Sequence, residues 1–115
     1  MFEPTPRYTA VIAAIDAANG DDPRTVVLDG ERRPYEVVYS ERMVRRLAAM
    51  YPEASELLRI AAHGQHIRRF DIARSAFALG RDGYNEWRRA CREHHAALLR
   101  DIMARHGYAG AEIGH

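Results

Sequence analysis

The sequence predicts an all-α fold, a bundle of about four helices with an irregular connection between the first and the second. Two observations carry this. Apolar residues make up 47% of the 115-residue chain, but 19 of them are alanines, which suit helices and close helix packing rather than strands. Larger apolar side chains recur at helical spacing through four segments. At this length folding buries roughly two thirds of the surface the unfolded chain exposes, enough for one modest core, so residues 1–115 read as a single helical domain.

The first helix is expected from about Arg7 to Ala18, with Tyr8, Val11, Ile12 and Ile15 on one stripe and a stop at Asn19-Gly20. Residues 20–33 read as a polar connection; within it Thr25-Val26-Val27-Leu28 could be extended but has no obvious strand partner. The second helix is expected from near Pro34 to Met50, with Glu36, Tyr39, Met43, Leu47 and Met50 aligned. Tyr51-Pro52 breaks it, and Pro52 suits the first position of a third helix over about 53–68 that buries Ala54, Leu57, Leu58, Ala61 and Ala62. An irregular arginine-rich stretch follows. The fourth helix is expected from about Asp82 to His106, ended by Gly107, with Tyr84, Trp87, Cys91, Leu98 and Ile102 on its apolar stripe.

Composition excludes several chemistries. All 17 basic residues are arginine, so there is no lysine for a Schiff base, a general base or a phosphate loop. One cysteine, Cys91, excludes an intrachain disulfide and any multi-cysteine zinc or iron–sulfur site. A charged fraction of 29% with a net charge of +1 excludes a disordered polyelectrolyte, and a pI near 8.0 disfavours a generic nucleic-acid binder. Met1-Phe2-Glu3-Pro4 lacks the regions of a signal peptide, and no apolar run approaches the roughly 20 residues of a membrane span. The expected location is the cytoplasm, with no membrane partner. Residues 63–95 carry seven arginines against four acids and four of the six histidines, so an anionic ligand is expected there rather than in the net-negative first half.

Polar side chains that fall on apolar stripes mark the candidate site. Continuing the spacing of the third helix through 58, 61 and 62 places Gln65 and His66 against the core; His95 lies four after Cys91 and three before Leu98; Glu36 lies three before Tyr39. Glu36, His66 and His95 could therefore converge between three helices, either as a hydrogen-bonded network or as a metal or substrate site. His63 and His66 stand three apart but lack the glutamate of an HExxH arrangement. Adjacent His94 and His95 point about 100° apart on a helix, so only one faces inward. His106 and His115 read as a helix end and a chain end. Arg68, Arg69 and Arg74, joined by Arg42 or Arg88, could form an anion pocket from guanidinium forks; alternatively they pair with Asp71, Asp82 and Glu86. Tyr84 and Trp87 could stack a base near Arg88 but lie on the core stripe, and Cys91 reads as an inert packed thiol.

The run Ala61-Ala62-His63-Gly64-Gln65-His66-Ile67-Arg68-Arg69-Phe70, followed by Arg74, Arg81-Asp82-Gly83-Tyr84, Trp87-Arg88 and His95, resembles the family catalogued as domain of unknown function 4202. Ile15 to Asn19, Asp21, and Glu36, Tyr39, Arg42 and Met43 fit the same pattern. The family's tryptophan is Phe70 here, and its Tyr-Pro is Ala76-Phe77. Members continue past the point where this chain ends in Ile113-Gly114-His115, so the chain resembles the N-terminal part of that domain. More faintly it resembles the HD phosphohydrolase superfamily, which implies an HD-like helical bundle. Laid on that pattern, Tyr39 replaces the first histidine and Gln65-His66 replaces the His-Asp pair, a poor ligand set for a hard divalent metal.

The expected function is binding or hydrolysis of a phosphorylated or other anionic small molecule. His66 and His95 would act as acid and base; Arg68, Arg69, Arg74, Gln65, Tyr39, Arg42 and Arg88 would hold the ligand; Glu36, His66 and His95 would hold one divalent metal if one binds. The alternative is a non-catalytic binding or scaffold module, with structural histidines and arginines that grip a partner protein or RNA. A third possibility is a chain completed by its missing half or by another chain.

Overall fold

The computed structural model describes residues 2–113. Helix α1 spans Pro6–Asn19. Thr5 caps it, its hydroxyl accepting from the Tyr8 amide at 3.2 Å, and Pro6 sits where a missing N–H costs nothing. Val11, Ile15 and Asn19 on this helix are fully buried.

The connection after α1 is not irregular. Strands β1 (Thr25–Leu28) and β2 (Glu31–Pro34) form an antiparallel hairpin with Leu28 opposite Glu31. Asp29 and Gly30 both have positive φ, 51° and 80°, the backbone a two-residue turn needs to match strand twist. Glu-Arg-Arg-Pro carries no strand propensity, which is why β2 is invisible in the sequence; two of its four side chains are exposed, and its pairing is helped by the turn and by Arg32, which donates to Thr25 Oγ1 at 2.8 Å.

Helix α2 spans Tyr35–Met50. Pro34 offers it no side-chain cap; Asp22 does so from a distance, accepting the Glu36 amide at 3.0 Å, while the Tyr35 amide reaches the Arg24 carbonyl. Glu36, Val38 and Ser40 are buried, whereas Met50, expected on the inner stripe, is exposed.

Helix α3 is shorter than expected, Glu56–His63 instead of 53–68. Pro52 lies in the turn after α2, and Ser55 is the cap, accepting the Leu58 amide at 3.1 Å. Ile60 and Ile67 fill the core; Leu58 is 48% exposed, and Gln65 and Ala61 also face out. Past Gly64 the chain tightens into 3₁₀ turns at Arg69–Asp71 and Arg74–Ala76. Between them and α3, Arg68 takes a left-handed conformation, φ 49°, unusual for a residue with a Cβ.

Helix α4 spans Arg81–Arg105, and Gly107 (φ 91°) lets the Tyr108 amide return to the Met103 carbonyl. A short α5, Gly110–Ile113, was not anticipated. His106 stands at the end of α4; His115 lies outside the described residues. The described chain is thus mostly helical with one small sheet. Its core is Val11, Ile15, Ile60, Ile67, Met103 and Tyr108, shared by α1, α3, α4 and the loops after α3 and α4. Among the described residues no helix is long and apolar enough to cross a membrane.

Candidate functional site

Three segments build the site: the start of α2, the loop after α3, and the first half of α4. The loop is the part whose conformation must be enforced. Asn19, fully buried at the end of α1, donates to Ser40 Oγ on α2 and accepts the Arg68 amide at 2.8 Å. The Arg68 guanidinium closes on Asp21 at 2.9 Å, on both oxygens of Asp71, and on the Ala18 carbonyl at 3.0 Å. These contacts hold Arg68 in its left-handed turn, and that turn aims His66 and Arg69 back towards α2 and α4.

His66 lies flat on Tyr39, ring centroids 4.1 Å apart and nearly parallel at 6°. Arg69 meets His66 Nε2 at 3.0 Å. A guanidinium can only donate, and the same Arg69 nitrogen also lies 3.5 Å from His66 Nδ1, so it faces the nitrogen-bearing edge of a neutral ring. His66 Nδ1 also lies 3.8 Å from Glu36 Oε2, beyond hydrogen-bond distance. Glu36 is 1% exposed, and Oε2 has no hydrogen-bond partner; its other oxygen accepts from Arg24 at 2.9 Å. His95 on α4 stands 6.0 Å from the His66 ring, with Nε2 likewise buried and unpartnered.

Burial and the nearby Arg69 charge push both His66 and His95 down to about 4, so both are neutral at physiological pH. Burial pushes the Glu36 carboxyl up, against the pull of Arg24, and the Cys91 thiol up as well, in keeping with an unreactive packed cysteine.

Two cavities share the His66–Arg69 wall. One, about 380 Å³, is lined by Gln65, His66, Arg69, Tyr84, Arg88, Cys91, Arg92 and His95. The other, about 500 Å³, opens between the hairpin end, α2, the 3₁₀ turns and α4, with Arg24, Tyr35, Glu36, Phe70, Arg74 and Trp87 among its walls. In the first, Arg69, Arg88 and Arg92 have no acidic partner among the described residues, and no carboxylate lines it.

The expected residues therefore divide. His66, His95, Gln65, Arg69 and Arg88 line one cleft, with Tyr39 behind His66. Arg68 is taken up by Asp21 and Asp71, and Arg74 by the carbonyls of Phe77, Ala78 and Gly80. Arg42 is exposed on α2, away from both large cavities. Glu36, His66 and His95 do lie together, but among the described residues no group of three or more His, Cys, Asp or Glu side chains is placed to hold a metal ion. The remaining histidines go elsewhere: His63 Nε2 pairs with Asp16 and His94 Nε2 with Asp71, each at 2.7 Å.

Sequence reasoning missed Arg24, Asp22 and Arg92. The first two sit in the unread hairpin connection. Arg92 was within reach, because 88, 92 and 95 follow helical spacing and so share a face. Trp87 was assigned to the core; it is half-buried, donates from Nε1 to the Ile72 carbonyl at 2.9 Å, and carries the Arg69 guanidinium 4.8 Å over its ring.

Residues 9–115 match the family model described as Domain of unknown function (DUF4202). No curated protein and no solved structure matches the chain.

Proposed function

We propose that this chain, which belongs to the family described as Domain of unknown function (DUF4202), binds a phosphorylated or otherwise anionic small molecule in the cleft between the loop after α3 and α4. One observation carries this: Arg69, Arg88 and Arg92 line a cleft of about 380 Å³ that contains no carboxylate. Arg88 and Arg92 are exposed and Arg69 half-buried; none forms an ion pair among the described residues, and guanidinium forks of this kind take a phosphate or carboxylate with several acceptor oxygens.

The two neutral histidines suit the same ligand. Burial first and the Arg69 charge second hold His66 and His95 unprotonated; an anion seated on Arg69 offsets the second, so binding and proton uptake reinforce each other. The Tyr39 stack holds the His66 ring with Nε2 3.0 Å from Arg69. From there His66 could give or take a proton at the bound group, which is the chemistry a hydrolase or transferase would add. The HD-like bundle belongs to the proposal without that superfamily's ligand positions, because Tyr39 is committed to stacking on His66 and Gln65 faces solvent.

Titration calorimetry with pyrophosphate tests this. The native chain should show one saturable site, weakened at least about tenfold by Arg69→Ala or Arg92→Ala and unchanged by Arg45→Ala, an exposed arginine elsewhere on α2. Absence of saturable binding, or equal losses in all three variants, overturns it. One observation favours a second reading, a non-catalytic module with a structural histidine: the close stack of His66 on Tyr39. In that case His66→Ala lowers stability and leaves pyrophosphate affinity as it was.

A further inference from the structure

We infer that the anion carries a flat aromatic group, a nucleoside phosphate being the common chemical form, and that this group occupies the 500 Å³ cavity on the far side of the His66–Arg69 wall. The inference rests on the anion-binding reading above and specifies the ligand of that site.

The cavity's walls decide the class. Tyr35, Phe70 and Trp87 all line it, and each ring carries a guanidinium: Arg24 at 4.7 Å from the Tyr35 centroid, Arg68 at 4.9 Å from Phe70, Arg69 at 4.8 Å from Trp87. A second bare anion suits this cavity poorly, because aromatic faces are electron-rich and Glu36 stands in its wall. An aliphatic chain suits it no better, because it would strip water from Arg24, Arg69 and Arg74 and return no hydrogen bond. A flat, electron-rich ring meets both kinds of surface: it stacks on aromatic faces and on guanidinium planes alike. The volume is in the range of small-molecule sites.

The two cavities are also placed for one ligand. His66 and Arg69 line both, so one side-chain layer separates the aromatic walls from Arg88 and Arg92. A phosphate ester whose ring and phosphate lie on opposite sides of a sugar-sized spacer would cross that layer at Arg69, which could touch both ends.

The chain's single tryptophan, Trp87, lines only the aromatic cavity of the two but carries Arg69 over its ring. Ribose 5-phosphate therefore supplies the emission change due to the anion alone, and any excess with the nucleotide reports on the ring. The experiment compares adenosine 5′-monophosphate with ribose 5-phosphate on the native chain, by calorimetry and by Trp87 emission, and repeats both with Tyr35→Leu, a change at an exposed ring. The expected result is binding of both compounds, the nucleotide about tenfold or more tighter with Trp87 quenching beyond any change that ribose 5-phosphate causes. Tyr35→Leu should remove much of the nucleotide's advantage and leave ribose 5-phosphate affinity unchanged. Equal affinities with no nucleotide-specific quenching overturn the aromatic group and leave the anion site standing. If neither compound binds, the anion site itself is overturned.

Discussion

Burying two imidazoles beside a guanidinium makes both harder to protonate in the folded chain than in the unfolded one. His66 and His95 fall from 6.5 to about 4. Because their folded values are depressed, the stability they contribute is fully present above the unfolded value and is lost as pH falls from about 6.5 towards 4. Each histidine can account for about 3 kcal/mol at most, lessened by the solvent that still reaches both rings. Glu36 works in the opposite sense: burial raises its carboxyl, so its protonation at low pH relieves a cost and shallows the fall. Thermal melts from pH 7.5 to pH 4.5 should therefore show a falling midpoint in the native chain and a flatter one in His95→Gln, which cannot take up the proton. An identical pH slope in the two would mean that His95 is not held neutral by its surroundings. The identity of these histidines as inward-facing residues was legible in the sequence. Their partners were not, because spacing along a helix says nothing about which arginine a loop will bring across.

At the scale of elements, what was legible follows the strength of the local signal. Helices α1, α2 and α4 end within a residue or two of where periodicity and Gly or Pro punctuation put them. The hairpin was lost because only one of its strands has strand composition, and α3 was overextended because an apolar pattern was continued through Gly64. His66 still reached the site, by way of the turn that begins at Gly64 and not by helical register, so the residue was identified for an incomplete reason. The two glycines flanking this region differ in a way the sequence cannot show. A Cβ on Gly83 would lie 1.7 Å from the Ala78 carbonyl oxygen, whereas one on Gly64 meets the terminal carbons of Leu99 at 2.8 and 3.1 Å. Backbone cannot yield as a leucine end can. Gly83→Ala should cost more than about 2 kcal/mol in urea denaturation, and Gly64→Ala about 1 kcal/mol or less. Equal costs would show that the 78–83 turn can reopen without penalty.

The molecule as a whole is flat, 45 × 41 × 26 Å, with a radius of gyration of 15.1 Å against about 13–14 Å for a compact domain of this length. A slab this thin has a small core, and the segment 64–80 takes little from it: Ile67 is its one fully buried apolar side chain among the described residues. Polar pins do the rest, through Asn19, Asp21 and Asp71 on Arg68, His94 on Asp71, and Ile72 on Trp87. The charge excess of residues 63–95 pointed to this region from sequence alone, but whether each arginine is paired or open depends on acids contributed by the turn after α1 (Asp21) and the first 3₁₀ turn (Asp71). Segments held by few apolar contacts open locally at low free energy. A ligand that bridges Arg69 on the loop to Arg88 and Arg92 on α4 must therefore slow that opening before it affects the rest of the fold. Hydrogen exchange with and without saturating pyrophosphate should show added protection in residues 64–80 and the first half of α4, with the β1–β2 hairpin turn unchanged. Protection concentrated in the hairpin would place the anion on Arg32 and Arg33 instead and remove the cleft from consideration.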